Sequence, residues 1–202
     1  MAGDAPAIYL ASASPRRSEL LRQIDVTHEV HPVDIDETPL PGEKPAHYAL
    51  RLAEEKARAL WERLPLAERR PVLAADTTVA LGDEILGKPA DREDAARILG
   101  RLSGRAHEVH TAVAVLHAGG ANARVSTSTV EFRPLTRAEI DWYWRTGEPA
   151  DKAGAYGVQG HAAIFIRHLS GSYSGVMGLP LYETWELLTP ALGLIGWNTQ
   201  AP

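Results

Sequence analysis

Residues 8 to 24 place a strand, a turn and a helix in immediate succession, and this stretch constrains the fold most strongly. Its sequence is IYLASASPRRSELLRQI. The apolar run from Ile8 to Ala11 indicates a buried strand, and Pro15 suits the first position of a helix that carries Leu20 and Leu21 inward. The unit opens a first half in which strands alternate with helices, before a hairpin-rich second half. The two halves of the chain together predict an α/β protein with a mixed, twisted sheet.

The start of this helix carries two cations where the backbone is already electropositive. Ser14 fits the N-cap, and Arg16 and Arg17 occupy the first turn, whose N–H groups lack partners. A bound anion would resolve the conflict, and the small residues of the Ser12-Ala13-Ser14 turn would let a phosphate approach the backbone. The competing interpretation, which this stretch favours when taken alone, is a surface helix whose arginines reach water.

Charge and cysteine content restrict the partners of such a site. The chain has 202 residues, a net charge of −5 and no cysteine. We therefore expect no nucleic-acid surface, and disulfides and thiolate chemistry are excluded. No apolar stretch is long enough to span a membrane. The N-terminal MAGDAP lacks the basic segment of a signal peptide, so we expect a cytoplasmic protein.

Two further stretches of the first half carry charged residues of interest. Strand Thr27–Val33 should lead into the loop DIDETPLPGEKP, whose carboxylates, Glu37 among them, either face water or face a cation. A helix from Pro45 to about Leu64 should bury one stripe, listed here in chain order: Ala46, Leu50, Ala53, Ala57, Leu60 and Leu64. Lys56 flanks that stripe, and a lysine there is ordinarily a helix residue whose ammonium reaches water.

The run VLAA after Pro71 predicts a central strand that ends at Asp76-Thr77-Thr78. A carboxylate at the exit of a strand in an α/β sheet is well placed for metal or base chemistry. A turn-forming aspartate is an equally good explanation. A hairpin around Gly82-Asp83 follows, and Lys88 should lie at its rim.

The second half is predicted from local signals. Asp91 should cap a helix through Leu102, and Thr136 should open another with a capping box. The remaining predicted elements are strands at 108–117, 124–132 and 162–167, and a helix at 179–188. The aromatic cluster Trp142 to Trp144 indicates core or subunit contact, so a homodimer is plausible. The glycine-rich loop DKAGAYGVQG, at 151–160, is typical of a binding loop.

Seven of these segments, in this order, resemble the Maf family of nucleoside triphosphate pyrophosphatases. They are LASASPRR, DIDET, RLAEEKA, AADTTV, GKP, DKAGAYGVQG and GLPLYET. The resemblance implies a single domain over 1–202 with an inosine triphosphatase-like fold: an elongated mixed twisted sheet with flanking helices and two lobes around a central cleft. The AGAYGVQG form is similar to the branch that acts on dTTP and UTP.

The resemblance also implies roles for individual residues. Asp76 would be the proton acceptor that activates water, and Glu37 with Asp76 would hold a divalent cation, which would be Mg²⁺, Mn²⁺ or Co²⁺. The triphosphate would be held by Arg16, Lys56 and Lys88, and Ser12 would also contact the substrate. The positions of Arg16, Thr77 and Gln159 match those that the family uses for substrate selectivity. Arg17 is expected to matter less than Arg16 if it points away from the site.

Two other functions stay open at this point. A nucleotide-sensing regulator of cell division or septation would keep the cationic grip and would need no base such as Asp76. A pyrophosphatase for another base, such as methylated GTP or ITP, would keep the chemistry and change the base contacts.

Overall fold

The computed structural model describes residues 7–193, so MAGDAP and residues 194–202 lie outside the described part. Within it, seven strands form one mixed sheet. The strands are β1 (Ile8–Leu10), β2 (His28–Val30), β3 (Val72–Leu81), β4 (Glu84–Leu86), β5 (Ala106–His117), β6 (Gly120–Phe132) and β7 (Ile166–Ser170). The sheet order is β2-β1-β3-β5-β6-β7, and β4 also pairs with β3. The contacts of β1 with β2 and β3 are parallel and the others are antiparallel, which confirms the predicted mixed α/β sheet.

Helices flank this sheet. They are α1 (Pro15–Gln23), α2 (Pro45–Arg63), α3 (Arg92–Leu102), α4 (Arg137–Arg145), α5 (Tyr173–Met177) and α6 (Leu181–Ala191). Short 3₁₀ segments occupy Leu66–Glu68, Glu148–Asp151, Ala153–Ala155 and His161–Phe165. Among residues 7–193, no helix combines the length and the apolar character needed to cross a bilayer.

Small side chains bring α2 close to the sheet. Ala49, Ala53 and Ala57 are buried in one cluster with Ala74 of β3 and Ala112 of β5. Leu52 is buried as well, whereas the predicted stripe members Ala46, Leu50 and Leu64 are only partly covered. The buried stripe therefore differs from the predicted stripe at its ends, because the row of alanines sets which face of the helix can approach the sheet most closely.

The sheet has a gap along one edge of β3. On that edge β1 pairs with Val72 and Leu73, and β4 pairs with residues 79–81, which leaves 74–78 without a neighbouring strand. The opposite edge is paired with β5 from Val72 to Ala80. The gap therefore exposes the middle of a central strand without interrupting it.

Asp76 lies inside β3 rather than at its end, which corrects the predicted strand exit. The ladder with β5 pairs Asp76 with Ala112 and keeps the backbone extended on both sides of it. Because side chains alternate along a strand, Asp76 shares the α2 face with Ala74. Thr77 shares the opposite face with Ala75, which packs in the cluster containing residues of α1 and α6.

Two predicted strands were too long or misplaced. β2 ends at Val30 because β1, its partner, ends at Leu10, whose carbonyl oxygen accepts the N–H of His31. Residues 161–165 form a 3₁₀ turn instead of a strand, because the pairing of β7 with β6 begins only at Ile166.

The caps and hairpins of the second half are confirmed. Asp91 accepts the N–H of Asp94, and Thr136 and Glu139 form the reciprocal capping box of α4. In the aromatic cluster, Tyr143 is fully buried, whereas 37% of the surface of Trp142 is exposed.

Candidate active site

A cleft of about 700 Å³ opens at the gap in β3. The turn after β1 (residues 11–14) lines it, together with residues of α1, α2, β3 and β4, the 151–158 loop and the end of α5. Of the described lining residues, five are cationic and three are carboxylates. The cationic residues are Arg16, Arg17, Lys56, Lys88 and Lys152, and the carboxylates are Glu37, Asp76 and Asp151. In a chain of net charge −5, this local excess of cations favours an anionic ligand.

Lys56 joins the two carboxylates named as candidate metal ligands. Its Nζ lies 2.8 Å from Asp76 Oδ1 and 2.6 Å from Glu37 Oε1. The side chains of Lys56 and Asp76 are 12% and 11% exposed, whereas that of Glu37 is half exposed. Thr78 Oγ1 donates to Asp76 Oδ2 at 3.3 Å. Each carboxylate oxygen of Asp76 accepts one hydrogen bond and has capacity for another.

Tyr48 covers this pair from the same helix as Lys56. Its hydroxyl donates to the backbone oxygen of Glu37 at 2.7 Å, which ties the acidic loop to α2. Burial, together with the negative charges of Asp76 and Glu37, raises the pKa of Tyr48 to about 12. The hydroxyl therefore stays protonated and acts as a donor at neutral pH.

Arg17 lines the cleft and does not point away from the site. Its Nε donates to the carbonyl oxygen of Gly178 at 2.8 Å. Its two terminal nitrogens donate to Ser12 Oγ at 2.9 Å and to Thr77 Oγ1 at 3.3 Å. Burial lowers the pKa of Arg17, although nearby Asp76 opposes this effect. Arg17 thus joins α1, β3 and the segment after α5.

Arg16 and Lys88 line the same cleft without such commitments. Within residues 7–193, neither side chain takes part in a hydrogen bond or ion pair. Lys88 is exposed, as the predicted rim position requires, and Arg16 is partly covered. Ser14 occupies the N-cap of α1, but its side chain makes no capping hydrogen bond. Arg16 and Lys88 are therefore available to an incoming anion.

The glycine-rich loop forms the opposite wall. The N–H of Gly154 donates to the carbonyl oxygen of Gly87 at 3.0 Å, which brings the DKAGAYGVQG and GKP segments together. Gly154 and Ala155 both have positive φ, and the second is a strained conformation for a residue with a Cβ. Tyr156 and Val158 line the cleft, whereas Gln159 is exposed and lies outside the lining.

The structure brings together most residues named from the sequence. Ser12, Arg16, Glu37, Lys56, Asp76, Thr77 and Lys88 all line the cleft, and Gln159 does not. Three further residues line the cleft and were not predicted from the sequence to do so: Arg17, Tyr48 and Lys152. Helical periodicity could have found Tyr48, because residues eight apart share a helix face and Lys56 lies eight residues later. Nothing local predicts the direction of Arg17, which depends on the distant Gly178.

The two carboxylates, Glu37 and Asp76, suit a metal ion that is coordinated partly by the protein and partly by a substrate. No group of three or more His, Cys, Asp or Glu side chains suited to a metal occurs in the described part of the chain. Glu37 and Asp76 provide hard oxygen atoms at the cleft, linked through Lys56. Mg²⁺ commonly binds one or two carboxylates and completes its shell with water and substrate phosphates. The pair suits that mode and not a cage made of protein ligands alone.

Comparison with known proteins gives consistent matches. The family model described as "Maf-like protein" matches residues 7–191. A dTTP/UTP pyrophosphatase of Bordetella parapertussis is 52% identical over 197 residues, covering 95% of each chain. One of Aromatoleum aromaticum is 53% identical, covering 90% of this chain and 93% of its own. One of Pseudoalteromonas atlantica is 49% identical, covering 90% and 95%.

Proposed function

The chain belongs to the Maf family, and we propose that it hydrolyses dTTP and UTP to the nucleoside monophosphate and pyrophosphate. Three relatives about half identical to it are named dTTP/UTP pyrophosphatase. The observation that carries the proposal is the position of Asp76, a buried carboxylate in a cleft otherwise rich in cations. A carboxylate there repels a polyphosphate, and a chemical role in the reaction explains why the site contains one.

That role is to accept a proton from the attacking water. Lys56 and Thr78 each donate to one oxygen of Asp76, which fixes the plane of the carboxylate. Each oxygen keeps a free acceptor position for a water molecule. Proton acceptance by a positioned carboxylate typically contributes about 10²–10⁴-fold to the rate. We place the attack at the α-phosphorus, because the products of the proposed reaction are a monophosphate and pyrophosphate.

Arg16 and Lys88 would grip the triphosphate, with Lys56 beside the base. The first two side chains have no partner in the described residues and line the cleft from α1 and from the segment after β4. Charge on the phosphate oxygens must be neutralised before an anionic nucleophile can approach. Glu37 and Asp76 would hold Mg²⁺, Mn²⁺ or Co²⁺, and the bound ion would neutralise further phosphate charge.

The base would lie against the glycine-rich wall. Tyr156 and Val158 offer apolar surface there. Gln159, Arg16 and Thr77 remain the proposed selectivity residues. Gln159 is kept among them because it adjoins Val158. A glutamine amide can pair with the N3–H donor and an adjacent carbonyl oxygen of thymine or uracil. Because it lies outside the cleft lining, its amide would have to turn inward when a nucleotide binds.

A competition assay tests the proposal. The protein is incubated with Mg²⁺ and an equimolar mixture of dTTP, UTP, CTP, ITP and methylated GTP, and the products are separated by chromatography. We expect monophosphate and pyrophosphate from dTTP and UTP first. Preference for ITP or methylated GTP would refute the base assignment alone. Nucleotide binding without turnover would refute the enzyme and favour a sensor.

A further inference from the structure

Glu148 holds the backbone of the glycine-rich wall on both sides of Val158 and Gln159, on one side through Tyr143. Its Oε1 accepts the hydroxyl of Tyr143 at 2.7 Å, and that hydroxyl accepts the N–H of Gly157 at 3.1 Å. Its Oε2 accepts the backbone N–H of His161 at 2.8 Å and lies 3.0 Å from His161 Nδ1. The side chain of Glu148 is 14% exposed. One carboxylate therefore fixes the backbone on either side of Val158 and Gln159.

The loop is shaped to receive this carboxylate. A Cβ added to Gly160 would lie 2.1 Å from Glu148 Oε2, closer than any side chain tolerates. A Cβ on Gly157 would meet Lys152 Cε at 2.9 Å and Glu148 Oε1 at 3.1 Å. Lys152 in turn donates to the backbone oxygen of Glu148 at 3.1 Å. The two glycines leave the space in which the Glu148 side chain lies.

An ionised carboxylate satisfies all of these groups. Tyr143, when its hydroxyl proton points to Glu148, and the N–H of His161 are both donors, so both oxygens must accept. Burial raises the pKa of Glu148, but the hydrogen bonds from Tyr143 and His161 outweigh it and leave the pKa lowered. The backbone N–H of His161 can only donate, whereas the Tyr143 hydroxyl can turn and accept, so a glutamine could keep both contacts. Alanine at this position removes both acceptor oxygens and would release both ends of the segment.

We propose that Glu148 is a positioning residue that holds the 156–161 segment in the shape that selects the base. The proposal rests on the proposed function, because it assigns this wall to the base of the nucleotide. Glu148 does not line the cleft and so acts through the loop. Small misplacements of contact groups can cost roughly hundredfold in rate. The loss should fall on base discrimination and spare the grip on the phosphates.

Glu148→Ala tests the proposal, with Glu139→Ala as the matched control. Glu139 also accepts several hydrogen bonds, from Arg133 and Thr136, but at the far end of α4 and away from the cleft. We measure kcat/KM for UTP relative to CTP and the inhibition constant of inorganic pyrophosphate. In Glu148→Ala we expect the ratio to fall roughly tenfold or more with unchanged inhibition. In Glu139→Ala both should stay at the native values.

Amide hydrogen exchange in the free protein provides a readout that needs no turnover. Glu148→Ala should speed exchange at His161, and Tyr143→Phe should speed it at Gly157, each by roughly tenfold, because each removes the acceptor of that N–H. If Glu148→Ala does not fold, Tyr143→Phe decides both the exchange and the UTP/CTP ratio. Native exchange rates, or an unchanged ratio with a folded protein, would overturn the proposal. An inactive native protein would overturn the proposed function, and the exchange rates would still decide whether Glu148 holds the loop.

Discussion

Lys56 Nζ donates to Asp76 Oδ1 across 2.8 Å, connecting the middle of α2 to the uncovered middle of β3. Neither side chain is more than one-eighth exposed, so the pair is shielded from bulk water. The second contact of Lys56, with Glu37, carries the link to the acidic loop. Removing Lys56 would leave the buried Asp76 carboxylate without its cationic partner, and removing Asp76 would leave Lys56 with Glu37 alone. The pair therefore couples the stability of the site to its chemistry.

Asp76→Asn should remove most of the hydrolysis. The amide keeps the shape of the side chain but cannot take a proton from water, so we expect a fall in kcat of about 10²–10⁴-fold. Asp83→Asn is the control, because Asp83 is an exposed carboxylate at the nearby β3–β4 turn whose partner is Lys44. Steady-state rates at saturating Mg²⁺ compare the two variants. Near-native turnover by Asp76→Asn would exclude Asp76 as the base.

The two adjacent arginines should separate into a ligand contact and a structural contact. Arg17→Ala takes the Arg17 donor from the Gly178 carbonyl oxygen and removes one hydrogen bond each from Ser12 and Thr77, which should cost about 1–3 kcal/mol of unfolding free energy. Arg16→Ala breaks no hydrogen bond or ion pair in the described part of the chain, so Tm should stay the same while kcat/KM falls. Thermal unfolding and steady-state kinetics on both variants test this. Equal effects of the two substitutions on Tm would contradict the assignment.

Local signals predicted the features that a few neighbouring residues determine. The Asp91 cap, the Thr136 capping box and the Gly82 turn each depend on contacts within four residues, and all are confirmed. The residues of the candidate site were found because the resemblance supplied seven motifs in order. Their mutual distances could not be predicted, because they depend on how β3, α2 and the 151–158 loop pack.

The errors arose where distant parts of the chain decide the outcome. Asp76 was predicted at a strand end because the apolar run stops there, yet twelve-residue β5 extends the ladder past it. The direction of Arg17 depends on a carbonyl oxygen 161 residues away. Gln159 lies outside the cleft between Gly157, whose N–H donates to the Tyr143 hydroxyl, and His161, whose N–H donates to Glu148. No local pattern contains this information.

His107 should make stability fall in mild acid. Its ring is buried, Nε2 lies 2.8 Å from the Tyr156 hydroxyl, and burial lowers the pKa of His107 to about 4. The unfolded chain takes up the proton near pH 6.5, before the folded protein does. The stability due to the neutral ring is therefore complete above pH 6.5 and is lost as pH falls towards 4. The loss should amount to about 3 kcal/mol.

Urea unfolding of the native protein and His107→Gln between pH 4 and 7 measures this term. Glutamine can keep a hydrogen bond to Tyr156 and does not titrate in this range. The difference between the two unfolding free energies should change with pH in the window from 6.5 to 4 and be flat above it. Parallel curves throughout the range would show that His107 does not contribute.

Two glycine-to-alanine substitutions should have opposite effects on stability. Gly154 has a φ of +68°, and its Cβ would lie 2.8 Å from Val79 Cγ1. We expect Gly154→Ala to lose about 1–2 kcal/mol from the left-handed backbone, and about 1–3 kcal/mol more from overpacking. Gly100 lies inside α3, and no atom beyond its chain neighbours and its own helix backbone lies within 4 Å of an added Cβ, so Gly100→Ala should gain about 0.5–1 kcal/mol. Chemical unfolding of both variants at pH 7 gives the two signs. A stable Gly154→Ala protein would mean that the loop can move away from Val79, and the wall opposite Asp76 would then not be rigid.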